Sequence, residues 1–304
     1  MSIRPEFGNT EVWRSPMLKR NITAAILILF ALLFILYLRT LYVELTDILF
    51  FAFMSIGAVE MWQVGKRSGY NPYLIPLILF GVSFYPLFLF FDGTGVLISA
   101  MISMLTAGGV FLFTREKTTP NDLFYTVLIL FYPMILTTSF FLINHGAGSL
   151  LGLFFVLFVT LLSDAFALFA GKLFGKKKLI PDVSPNKTVA GLLGAYVGAL
   201  VGATCVLLLF DVFGVFAHFE NVGNIRLFEH YYVSVPVYYV LAVLCATAAV
   251  IGDLVASLLK RTMGVKDFGK IFPGHGGVMD RLDSLLYVAP IVALFFIIYN
   301  GMIL

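Results

Sequence analysis

The sequence predicts an all-α fold, a polytopic transmembrane helical bundle of about nine spans with the N-terminus inside and the C-terminus outside. Three observations predict it. Apolar residues make up 60% of the 304 positions and charged residues 12%, which is more apolar surface than one water-soluble core can hide. The apolar residues come in continuous runs of roughly 20 and do not alternate, which suits helices and not a barrel. The basic residues also segregate: with nine spans, all of the 20 Lys and Arg except Arg39 and Arg226 fall on the N-terminal side of the membrane.

Taken in order, residues 1–20 mix Arg4, Glu6, Glu11, Arg14, Lys19 and Arg20 with Phe7, Trp13 and Met17. This suits an arm on the cytoplasmic interface, or a plain tail. The spans fall at about 21–38, 45–64, 73–91, 95–113, 122–143, 149–170, 189–213, 232–258 and 284–303. No small-residue cleavage site follows the first run, so it reads as a retained span. Residues 21–143 form an N-terminal transmembrane region, and 144–304 hold the chemistry. Cys205 and Cys245 lie inside apolar runs without metal-ligand spacing and read as packing residues. The seventh span carries a ridge of Gly191, Gly194, Gly198 and Gly202, flanked by Ala195 and Ala199. Such a ridge admits a close neighbouring helix, in the same chain or in a homodimer.

Two acids interrupt the apolar runs near their cytoplasmic ends, Asp164 in the sixth span and Asp253 in the eighth. Both should lie roughly 8–9 Å below those ends, at similar depth. Each would cost several kcal/mol against lipid, so both should face a polar cavity, a cation or a basic partner. Asp253, Ser257 and Lys260 are spaced to share one helix face. Taken singly, Asp253 also fits a helix–helix ion pair and Lys260 a snorkelling lysine.

The following loop sets Lys260, Arg261, Lys266, Lys270 and Arg281 beside Gly274, Gly276 and Gly277, with Asp280 and Asp283 at the mouth of the ninth span. Cations suit polyanionic oxygens, and glycines let backbone amides approach a phosphate. Carboxylates among them are the composition of a Mg²⁺–nucleotide site. His275 is a base, a metal ligand or an orienting hydrogen-bond donor. Between the sixth and seventh spans a second basic surface holds Lys172, Lys176, Lys177 and Lys178, then Ser184-Pro185-Asn186-Lys187-Thr188. The lysine triplet equally suits attraction to anionic lipid, and Lys187 is the better ligand-binding candidate.

These residues resemble the phosphatidate cytidylyltransferase family. Its signature matches Ser257, Lys260, Arg261, Lys266, Asp267, Pro273, Gly274, His275, Gly276, Gly277, Asp280, Arg281 and Asp283. The resemblance extends over about residues 160–284; the first five spans share only hydrophobic character. It departs at Ala165-Phe166-Ala167-Leu168, where members often have Thr-Gly-Ala-Tyr, and at Val189-Ala190, where they often have Trp-Glu.

The resemblance implies an enzyme with CTP and phosphatidate as substrates and CDP-diacylglycerol and pyrophosphate as products. It implies Mg²⁺ held by Asp253 and Asp280, leaves room for K⁺ beside it, and gives Lys260 and Ser257 catalytic roles. Substrate binding falls to Lys187, Arg261, Lys266, Asp267, His275, Arg281, Asp283 and Asp164. Membrane lipids are expected partners and nucleic acid is not; the expected location is a bacterial inner membrane, with the site facing the cytoplasm. Two other readings stay open: cytidylyl transfer to another lipid phosphate such as an ether lipid, and a cation or proton transporter using the intramembrane acids.

Overall fold

The computed structural model describes residues 30, 34, 37–39, 41–146, 149–216, 230–272 and 276–303, leaving aside the side chains of 149, 231 and 300–303. The expected arm at 1–20, most of the first expected span, and Pro273, Gly274 and His275 lie outside the described residues.

Helix α1 (Val43–Arg67) has Glu44 in its first turn and Lys66 and Arg67 in its last, charges that complement the helix dipole. The next helical stretch, α2 (Leu74–Phe113), is 40 residues long but not straight. Asp92, at φ 49° and ψ −135°, breaks it. Ser83 Oγ lies 2.7 Å from Ser99 Oγ, whereas 16 residues of straight helix would separate them by about 24 Å. The stretch is therefore a hairpin of two antiparallel arms, matching the two spans expected at 73–91 and 95–113. Gly95 makes the crossing: a Cβ there would overlap the Leu87 carbonyl.

Helix α3 (Pro120–Ile129) starts on a capping box between Thr119 and Asp122 with proline in its first turn. It runs through a π-helical segment at Leu130–Ile135 into α4 (Thr138–His145). Pro133 sits in that segment, where its missing N–H and its ring disturb the regular ladder. Helix α5 (Ser149–Phe174) leads into a hairpin of β1 (Lys178–Ile180) and β2 (Ser184–Thr188), an antiparallel pair where only a loop was expected. Helix α6 (Val189–Leu207) continues as a π turn, Leu208–Val212. Then come α7 (Tyr231–Thr262), the short α8 (Met279–Leu282) and α9 (Leu285–Ile303).

Six helical segments among the described residues are long and apolar enough to cross a membrane. The outward faces of α2 and α6 carry Phe90, Leu97, Phe113 and Leu193 exposed, as an integral membrane protein requires. The glycine ridge is used within the chain. A Cβ at Gly194, Gly198 or Gly202 would strike the carbonyls of Phe166, Leu162 or Phe158, successive turns of α5. The face expected to receive a neighbouring helix packs backbone to backbone against α5.

Candidate active site

Helices α5, α6 and α7 and the β-hairpin enclose a cavity of about 600 Å³, lined among others by Asp164, Lys172, Lys178, Ser184, Lys187 and Asp253. The two acids predicted at equal depth do face one space. They lie ten and nine residues from the ends of α5 and α7, about 15 and 14 Å, because both helices run four residues past their expected ends. Strand β2 delivers Lys187, and the Thr188 hydroxyl accepts from Gly191 N at 3.0 Å to cap α6. Lys187 Nζ lies 2.7 Å from Asp253 Oδ2 and donates to Val250 O at 3.3 Å. Ala167 and Leu168, from one of the departures from the family pattern, line the same cavity.

Gly252, just before Asp253, brings α7 against the start of α9; a Cβ there would lie 2.6 Å from Asp283 O. Asp253 and Asp283 thus become like-charged neighbours. Burial first, and then Asp253, push the Asp283 carboxyl up to about 6, against the opposing pull of Lys260, the Ser284 amide and Arg281. Acids held together in this way call for a cation.

The signature loop is organised by acids. Asp280, buried at 6% exposure, accepts from Phe268 N at 2.8 Å and Gly277 N at 2.9 Å on Oδ2. Its Oδ1 accepts from Lys260 Nζ at 2.8 Å, and that ammonium also lies 5.3 Å from the Phe268 ring centre. Gly276 has φ +83°, and a Cβ there would come 2.7 Å from Asp280 Oδ2. A Cβ at Gly277 would overlap Glu60. These two glycines, expected to open the backbone to a phosphate, admit the protein's own carboxylates instead.

Of the other predicted residues, Arg261, Lys266, Asp267 and Arg281 are exposed, Ser257 is half-buried on α7, and His275 lies outside the described residues. Two residues near the site escaped the sequence reading. Glu60 in α1 accepts the Val278 and Met279 amides. Tyr132, in the π segment, is 1% exposed, its hydroxyl has no hydrogen-bond partner among the described residues, and Asp283, Asp253 and Asp280 are its charged neighbours. Glu60 did leave a signal, an acid inside an apolar run.

The donor set fits Mg²⁺ only in part. Asp164, Asp253 and Asp283 offer oxygen alone, as a hard cation requires, and Asp253 and Asp283 are charged neighbours of Asp164. Among the described residues, no three acidic, His or Cys side chains are already gathered as a metal site. Asp280 has committed Oδ2 to amides, which leaves Oδ1 beside Lys260.

Fold and site together define an integral membrane enzyme whose polar centre lies between apolar helices, inward of the ends of α5 and α7. The cytidylyltransferase family model matches residues 18–299, and the chain belongs to that family. It is 38% identical to a phosphatidate cytidylyltransferase of Haemophilus influenzae over 148 residues, 48% of this chain and 46% of that one. It is 33% identical to the Thermotoga maritima enzyme of the same name over 66% of this chain and 70% of that one. With the Bacillus subtilis enzyme of that name the identity is 32%, over 80% and 85%. The match thus spans about half the length of the first relative and most of the other two.

Proposed function

We propose that the protein transfers the cytidylyl group of CTP to phosphatidate, giving CDP-diacylglycerol and pyrophosphate. The observation that carries this reading is the shared cavity of Asp164, Asp253 and Lys187 beside the signature loop, in a chain that matches the family over nearly its whole length. Both substrates are phosphate-rich anions, and a cavity of about 600 Å³ is of the size that small-molecule sites occupy. An oxygen of the phosphatidate phosphate attacks the α-phosphorus of CTP. The new O–P bond forms as the bond to the β-phosphate oxygen breaks, and pyrophosphate leaves with the electron pair.

The chain's own residues bind and orient. Lys187, Arg261, Lys266 and Arg281 hold phosphate oxygens, His275 and Asp267 take part in substrate binding, and Ser257 donates a hydrogen bond. Lys260, fixed by Asp280, offsets charge on the phosphates, while Asp164 and Asp283 support the cation site. Asp253 and Asp280 would hold Mg²⁺, with K⁺ as a second ion. When bound, Mg²⁺ neutralises phosphate oxygens and so favours attack by a second anion.

The segregation of basic residues supports an N-in, C-out bundle in a bacterial inner membrane with the site facing the cytoplasm. Residues 144–304 then form the catalytic region. The test is purified protein in mixed micelles with labelled CTP, Mg²⁺ and either phosphatidate or an ether-lipid phosphate. Lipid-linked cytidine and released pyrophosphate with phosphatidate are expected. Preference for the ether lipid moves the substrate, and no lipid product with either acceptor overturns the reading.

A further inference from the structure

Glu60 belongs to α1, outside the stretch that carries the signature, yet its carboxylate reaches the loop. It is 5% exposed. Oε1 accepts from Val278 N at 3.0 Å and Oε2 from Met279 N at 2.8 Å. Consecutive amides on the two oxygens of one carboxylate fix the peptide between them in place and in orientation. Two adjacent glycines make room for the group, because a Cβ at Gly269 or at Gly277 would overlap it. Glycine costs backbone entropy, so two glycines at one carboxylate mark an approach the fold needs. An acid within an apolar span is also expensive, and here the two buried amides it satisfies offset that cost.

The contacts lead onward from Glu60. Met279 precedes Asp280, the first turn of α8 begins there, and Asp280 gathers Phe268, Gly277 and Lys260. We propose that Glu60 is a positioning residue for cytidylyl transfer. It anchors the start of α8 so that Asp280, and through it Lys260 Nζ, stands where the CTP phosphates need it. The kinetic consequence rests on the proposed activity; the anchoring of the loop does not.

The test uses the full chain in detergent with Glu60→Gln, Glu60→Asp and Glu60→Ala, reading kcat, KM for CTP and amide hydrogen exchange. Displacing a reacting group by an ångström costs on the order of a hundredfold, so Glu60→Gln should lower kcat by about ten- to a hundredfold while KM changes much less. Glu60→Asp should retain part of the rate. Exchange should rise in the segment around Val278 and Met279 and not in α6. Gly277→Ala should cost turnover in the native background but little more in the Glu60→Ala background, where its methyl finds room.

An unchanged kcat in Glu60→Gln, or exchange rising equally in α6, overturns the inference and leaves Glu60 a general structural acid. If the native chain makes no lipid-linked cytidine, the proposed activity fails. A local rise in exchange would then still uphold the anchor, and its absence would remove it. If the native chain is active and loop exchange is unmoved, the anchor fails alone.

Discussion

The carboxylates of the signature loop and those of the cavity live under opposite conditions. Glu60 and Asp280, 5% and 6% exposed, are held by backbone N–H donors from Phe268, Gly277, Val278 and Met279, with Lys260 added on Asp280. Asp253 has a side chain 36% exposed and pairs with one flexible lysine, Lys187, while Asp164 opens onto the same cavity. Backbone donors are fixed by the fold. A lysine on a four-carbon stem can move to a substrate phosphate and free its acid. Acids satisfied by amides therefore shape the loop, and acids satisfied by a mobile cation remain open to ligands.

The strongest way to break that contrast is Asp253→Asn, which removes a charge and keeps the shape. Turnover should fall by about a thousandfold, the scale of losing a principal electrostatic group, with the thermal midpoint in detergent nearly unmoved. Activity retained in the variant would remove Asp253 from the chemistry. Asp280→Asn should behave differently, losing turnover and stability together. It breaks a buried pair and puts an amide where acceptors are needed, a cost of about 3–5 kcal/mol, and the midpoint should drop by several degrees. An unmoved midpoint would mean that the loop does not depend on Asp280. Lys187→Gln comes next: kcat/KM for CTP should fall by about a hundredfold, the loss showing chiefly in KM if the lysine binds phosphate in the ground state.

Much of this contrast was legible in the sequence, and the reasons it was not wholly so are physical. Apolar runs and basic loops report the membrane solvent directly, so the helical segments and the turn near Asp92 followed from them. Asp164 and Asp253 could be paired because helix depth is a count along the chain. Roles that depend on partners far along the chain could not be read. Glu60 and Asp47 lie in the same apolar run and look alike there. One takes loop amides 218 and 219 positions away, and the other takes Tyr85, Asn144 and His145 at the far end of α1. The π segment around Pro133 and the hairpin at 178–188 are likewise settled by packing and pairing, not by local pattern.

The smallest expected effect probes Asp283, the like-charged neighbour of the cavity acid Asp253. The Asp283 carboxyl is pushed up to about 6, by burial and then by Asp253, from the ordinary aspartate value near 3.9. The folded state then holds its proton more tightly than the unfolded state does. The penalty for ionising Asp283 is absent below about pH 4, grows between the two values, and is complete above about pH 6. Asp283→Asn cannot ionise and should escape that penalty while keeping an oxygen for the Ser284 amide, which now lies 2.8 Å from Asp283 Oδ1. In metal-free detergent its thermal midpoint should exceed the native one by a few degrees above pH 6, and the gain should vanish near pH 4. Adding Mg²⁺ should shrink the gain at high pH, since a cation near Asp253 offsets the same charge that the substitution removes. A gain independent of pH would trace to packing, and Asp283 would no longer report the charge of the cavity acid Asp253.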